Sequence, residues 1–243
     1  MRHVSASKVD LAKHCVYPWV SDLAWDDSPG WAARTGTAVH SACELQLVKG
    51  HVDEMDWADI VLANRLSQKQ LAKAHVMHAH YSAWLLEQPS MDWMAETKWA
   101  YDPIAGTSRT LPKSSHRDYS QAKPHEIVGT SDIHSFTGVD DIKTGWAPKL
   151  PQDSDQMAVL GLAHSQCFEM KESTVRIIKI DDRGVYVMSH TLDANALDQT
   201  AEMLYNIHTS IQLEAGPNPG LHCKYCPVRA SCASAQKEFP PHE

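Results

Sequence analysis

The chain has 243 residues and a formal net charge of −8. That length accommodates one folded core with a small appendage, and the acidic balance excludes a protein that coats nucleic acid by bulk charge, though not an enzyme with a local basic groove. No apolar run approaches the roughly 18 residues that cross a bilayer, and Met1–Leu11 lacks the apolar core of a secretion signal, so a cytoplasmic protein without a membrane partner is expected.

Ser7–Val16 reads as a short helix ending near Tyr17-Pro18, followed by a loop around Asp26–Gly30. Thr35–Val48 is helical, with Gly50 as its stop. Trp57–Glu87 reads as one long helix ended by Pro89, and Met94–Tyr101 as a strand. Gly106–Pro124 shows no clean period and reads as a loop or insertion. Glu126–Phe136 and Val139–Lys143 form two strands joined at Thr137-Gly138. A helix opens at Pro151 and Asp153 and runs to about Cys167. Thr174–Ile180 and Val185–His190 make a second hairpin, and Asp193 caps a helix reaching Glu214. This order predicts an α/β fold with a mixed central sheet flanked by helices. In one domain, residues 1–34 supply an N-terminal helix, 35–214 the core with a helical insertion, and 215–243 a cysteine-rich tail.

The informative stretch is Gly129-Thr-Ser-Asp132 followed by Asp140-Asp141-Ile142-Lys143-Thr144-Gly145. Side chains alternate along a strand, so Asp141 and Lys143 share a face while Ile142 points into a core. Across the hairpin, Asp132 falls opposite this pair or one diagonal step away. An isolated Asp-x-Lys is commonly a surface salt bridge. Two carboxylates and an ammonium at one spot also suit phosphodiester cleavage. The carboxylates bind a hard cation such as Mg²⁺ or Mn²⁺, and the lysine orients or deprotonates a water, or neutralises developing charge.

These residues resemble the core motif of RecB-type PD-(D/E)XK nucleases. The resemblance extends to Gly36-Thr-Ala-Val-His40, which matches the motif whose histidine ligates metal, and to Glu96 at a strand-glutamate position. It extends also to Gln156 in the helix motif Q-x-x-x-Y, where this chain has Leu160 in place of the tyrosine. The resemblance implies a restriction-endonuclease-like core. Its metal set would be His40, Asp132, Asp141 and Ile142, and its catalytic set Asp132, Asp141, Lys143, Gln156 and Glu96. Glu44, one helical turn after His40, could orient the imidazole.

Cys223-x-x-Cys226-x5-Cys232 can wrap one metal centre, and thiolates suit iron–sulfur clusters or zinc. Cys15 is the natural fourth ligand; a zinc site using Cys15 or His222, and metal-free thiols, are the alternatives. The arrangement resembles the iron–sulfur nucleases of the RecB-like group, namely the AddB nuclease domain and the CRISPR-associated exonuclease called Cas four. It implies a 4Fe-4S clasp joining the N- and C-terminal segments through Cys15, Cys223, Cys226 and Cys232. Cys43 and Cys167 read as small hydrophobes, and His75, His78 and His80 as exposed helix histidines.

Arg109, Lys113, Arg117 and Lys123 concentrate positive charge in one segment and are expected to hold DNA phosphates beside the site. The expected activity is a stand-alone exonuclease on DNA ends, preferably single-stranded. The alternative is a processing or adaptor subunit of a larger recombination or CRISPR-adaptation complex with partner-gated activity. No G-x-x-x-x-G-K-[ST] loop is present, so any helicase motor is a separate partner.

Overall fold

A computed structural model describes residues 2–26, 31–89, 92–112, 118–145 and 149–238. Its centre is a six-stranded sheet built from β1 (Met94–Asp102), β2 (Thr107–Thr110), β3 (Ile127–Ser135), β4 (Gly138–Lys143), β5 (Ser173–Asp181) and β6 (Gly184–Leu192). The spatial order is β2-β1-β3-β4-β5-β6. All neighbours are antiparallel except β4 and β5, which run parallel in the register Asp140↔Arg176 and Asp141↔Ile177. A parallel pair needs a crossover, and α6 (Asp155–Cys167) supplies it.

β5 is covered on both faces, and its four apolar residues, Val175, Ile177, Ile178 and Ile180, divide between them. Val175 and Ile177 enter one core, with Met157, Leu160 and Leu162 of α6 and Leu197, Leu204 and Ile207 of α7 (Ala194–Gln212). The short helices α1 (Val9–Ala12) and α2 (Tyr17–Val20) join that layer. Ile178 and Ile180 enter the opposite core, against Val39 and Ala42 of α3 (Trp31–Lys49) and Met77 and Tyr81 of α5 (Gln68–Leu86). The architecture is therefore a mixed sheet between two helical layers, as expected for a restriction-endonuclease-like fold.

Several boundaries differ from those expected, each for a local reason. The long helix expected over Trp57–Glu87 is two helices, α4 (Glu54–Asn64) and α5. Arg65 ends the first in the left-handed conformation, at φ 50°. Ser67 starts the second by a reciprocal cap with Gln70, the S-x-x-Q signature of a helix N-terminus. The N-terminal helix expected over Ser7–Val16 ends at Ala12, and Tyr17-Pro18 opens α2, where proline's missing N–H costs nothing. The third helix starts at Trp31, four positions before Thr35. The expected loop 106–124 contains β2, paired with β1 from Trp99↔Thr110 to Asp102↔Thr107. His78 is buried rather than exposed, its ring 5.5 Å from that of Trp57.

Candidate active site

Asp132, Asp141 and Lys143 come together where β3 and β4 leave their ladder. The ladder pairing ends at Ile133↔Asp140, and one step further Asp132 lies opposite Asp141. There the Asp132 carboxylate replaces a backbone acceptor: its Oδ2 receives the N–H of Ile142 at 2.5 Å. Its Oδ1 lies 3.1 Å from Nδ1 of His40, which reaches in from α3. The Ile142 side chain points into the α3/α5 core, so Ile142 meets the site through its backbone.

Asp141 is held from the other layer. Gln156, in the first turn of the capped helix α6, donates from Nε2 to Asp141 Oδ1 at 2.6 Å. Its Oε1 accepts from Lys143 Nζ at 3.1 Å. One amide thus fixes both ends of the Asp141–Lys143 pair. Lys143 Nζ also lies 2.6 Å from Asp141 Oδ2, yet that buried oxygen has no hydrogen bond of acceptable geometry. It is an orphaned carboxylate oxygen aimed at a polar site.

Electrostatics separate the two carboxylates. Burial raises both carboxyl pKa values. At Asp132 the charge and hydrogen bond of His40, the Ile142 N–H and Lys143 outweigh burial, and the pKa falls below the ordinary range. At Asp141 burial prevails over Lys143, the neighbouring Asp132 charge adds to it, and the pKa rises. Burial alone would depress the His40 pKa, but Asp132, with Asp141 behind it, raises it.

A cleft of about 650 Å³ opens over these groups. Its walls include Ser5 and Ser7 at the N-terminus, Gly36, Thr37, Ser41 and Glu44 of α3, Asn64 of α4, and Tyr119 and Thr130. Glu96 of β1 lines it too, with φ at +51°, a left-handed backbone in the middle of a strand. Such conformations cost on the order of 1–3 kcal/mol in a non-glycine residue and gather at functional sites. Two motif glycines explain the close packing beneath. A Cβ on Gly36 would meet Thr144 Oγ1 at 2.7 Å, and one on Gly129 would meet Leu160 Cδ2 at 2.8 Å. Leu160, fully buried, is a core residue packed on Gly129 rather than a wall of the cleft.

Sequence reasoning missed Arg176. It holds Asp140, the outer neighbour of Asp141, through two bonds of 2.7 and 2.6 Å and pins β4 to β5 behind the site. The available signal was a lone arginine in the apolar strand Thr174-Val-Arg-Ile-Ile. Asn64 carried no sequence signal.

The basic segment is partly committed elsewhere. Arg109 Nη2 and Nε grip Glu126 at 2.7 and 3.1 Å, and Nη2 also donates to Gln121 O at 2.9 Å. Neither Arg109 nor Lys123 lines the cleft; Lys113 and Arg117 lie outside the described residues.

Cys15, Cys223, Cys226 and Cys232 line one small cavity with Tyr17, Pro18 and Asn218. All are free thiols. Asn218 N–H points to Cys15 Sγ at 3.5 Å and Gly220 N–H to Cys223 Sγ at 3.4 Å. Burial raises the Cys226 thiol pKa, and the other three thiols add to the rise. His222 donates to Asn218 O at 2.9 Å and stacks on His14. Cys43 is buried and Cys167 half-buried, its pKa pushed up to about 11, as inert packing thiols are.

Among the described residues, no three His, Cys, Asp or Glu side chains converge tightly enough to hold an ion as they stand. In the cleft, Lys143 and Gln156 fill the positions around Asp141. The donor chemistry nonetheless fits a hard divalent cation, with carboxylate oxygens, an imidazole and an orphaned Oδ2 at one locus. The four thiols lining one cavity fit a thiophilic centre.

The chain matches the family model described as the PD-(D/E)XK nuclease superfamily over residues 3–233. It belongs to that superfamily. PD-(D/E)XK nucleases are metal-dependent enzymes that hydrolyse phosphodiester bonds, commonly with Mg²⁺ or Mn²⁺. No curated protein matches the chain. A solved structure titled "Crystal structure of SSO0001" is 15% identical, covers 82% of this chain and 85% of its own, and superposes with a TM-score of 0.34. No helix of the described residues is long and apolar enough to cross a membrane.

Proposed function

We propose that this superfamily member is a DNA exonuclease acting on single-stranded ends, with hydrolysis at the Asp132–Asp141–Lys143 locus. The observation that carries the reading is the bridge made by Gln156, which presents Lys143 and Asp141 together at the floor of the cleft. Asp132, Asp141 and His40, with the backbone of Ile142, are the residues that would hold Mg²⁺ or Mn²⁺. When bound, the cation supplies an acidified water and charge stabilisation at the phosphate.

The chain's own groups do the rest. The Ile142 N–H and His40 fix the Asp132 carboxylate and keep it ionised. Lys143, positioned by Gln156, sets its ammonium where negative charge develops. Glu96, held on a strained backbone, adds a further carboxylate to the wall. Lys113, Arg117 and Lys123 serve as phosphate contacts, while Arg109 acts mainly by anchoring its segment to Glu126.

Cys15, Cys223, Cys226 and Cys232 are read as ligands of a 4Fe-4S cluster, with zinc as the alternative. Support comes from their shared cavity and from the N–H groups aimed at two sulfurs, a feature that tunes such clusters. Anaerobic purification distinguishes the two, since an iron–sulfur protein is brown and a zinc protein colourless.

The activity is tested with Mn²⁺ and three single-stranded DNAs: linear, end-blocked linear and circular. The exonuclease reading predicts degradation of the first alone. Equal cutting of the circle would make the enzyme an endonuclease.

A further inference from the structure

We propose that the outer edge of β6 pairs antiparallel with β6 of a second copy of this chain, joining two six-stranded sheets into one. The inference is independent of the nuclease reading and rests on how differently the two sheet edges are finished. At one edge, β2 has four residues, carries Arg109, and is tied down by the Arg109–Glu126 pair. Short length and charge keep an edge from pairing further. At the other edge, β6 has nine residues, Gly184-Val-Tyr-Val-Met-Ser-His-Thr-Leu192, with no Asp, Glu, Lys, Arg or proline. Its register against β5 runs unbroken from Asp181↔Gly184 to Ser173↔Leu192, so no bulge twists it away. Among the described residues, the sheet order gives β6 a strand partner on one side only. The other side presents a row of backbone donors and acceptors, beside the exposed Tyr186 and Val187.

The ends of the strand identify the occupant. Full antiparallel overlap of two β6 strands puts Met188 on the two-fold axis and Gly184 opposite Leu192 of the second copy. Just beyond, the turn residue Arg183 lies at the same end of the pairing as the helix-capping Asp193 of the second copy, within reach of its long side chain, and two-fold symmetry makes this match twice. Arg183 is exposed, held loosely by Asp181 at 3.4 Å. Asp193 uses Oδ1 to cap α7 through Ala196 N at 2.9 Å. No like charges meet along the pairing, and opposite charges close both ends.

The register gives the test. Position 187 faces position 189 of the second copy, on one face of the joined sheet. The masses of the full-length wild type, of Val187→Lys/Ser189→Lys and of Val187→Lys/Ser189→Glu are measured by analytical ultracentrifugation over a dilution series. The proposal predicts a dimer, a monomer and a dimer, respectively. Hydrogen exchange on the wild type supplies a check that needs no variant: β6 amides are protected at high protein concentration and lose that protection on dilution. A wild type that is monomeric throughout overturns the proposal, as does a dimer that survives in the Lys/Lys variant. So does a Lys/Glu variant that stays monomeric, or β6 exchange independent of concentration.

Discussion

The cleft and the cysteine pocket place reactive groups in opposite surroundings. The cleft gathers charge: Asp141 is buried and Asp132 partly buried, against one imidazole and one lysine. Burying charges costs more than their pairing returns unless every lone pair is satisfied, and Asp141 Oδ2 is not. The cysteine pocket is apolar, with Val228 and Ala235 buried beside the thiols and Tyr17, Leu23 and Trp25 packed on them. In the proposed function, the first region gives up stability for chemistry and the second ties the N- and C-terminal segments together. Substitutions should therefore separate activity from stability in opposite directions.

The largest expected effect is on activity alone. Asp141→Asn removes a buried charge whose pKa is already raised, so the melting temperature should hold or increase. Cleavage should fall by roughly 10²–10⁴-fold, the usual contribution of such groups. Excess EDTA should abolish wild-type cleavage. An Asp141→Asn protein that cleaves normally, or one that unfolds, breaks the contrast from the cleft side.

Next in size is the reverse case. With the proposed cluster in place, Cys226→Ala should lower stability by roughly 5 kcal/mol, the chain-entropy value of a cross-link closing a loop of this length. Activity should be lost only in step with unfolding. Equal denaturant midpoints for this variant and wild type would remove the clasp from the account.

A third effect arises at a buried histidine of β3. His134 is buried against Trp99 and Phe168, and Thr97 Oγ1 sits 2.7 Å from its Nδ1. Burial, with His164 nearby, pushes its pKa down to about 4. An imidazole depressed in the fold takes up its proton more readily when unfolded, so stability is lost as pH falls from about 6.5 towards 4. The loss should reach roughly 2–3 kcal/mol, and His134→Gln should flatten that part of the profile. A wild-type profile unchanged by the substitution would show that acid acts through the carboxylates instead.

How much was legible follows the same physics. The period of two along β4 placed Asp141 and Lys143 on one face, and helical spacing placed His40 and Gln156 on helices that flank the sheet. Tertiary pairings were not legible. Nothing local joins Arg176 to Asp140, or Arg109 to Glu126 at the point where a DNA contact was expected. The break at Arg65 was written in Ser67-x-x-Gln70, but the apolar pattern continued across it and hid it. The left-handed Glu96 had no signal, since glycine or asparagine is the usual occupant of that conformation.

Glu96 provides the smallest predicted effect. Glu96→Gly relieves the positive φ and should gain about 1 kcal/mol, offset in part by glycine's unfolded-state freedom. Cleavage should slow. A stabilised variant with full activity would make the strain incidental to the cleft.

The most direct test of the central claim is a single assay on end-labelled single-stranded DNA with Mn²⁺, comparing wild type and Lys143→Ala at matched thermal stability. The account predicts that wild type shortens the strand and that Lys143→Ala leaves it intact. Digestion by Lys143→Ala at the wild-type rate would contradict it.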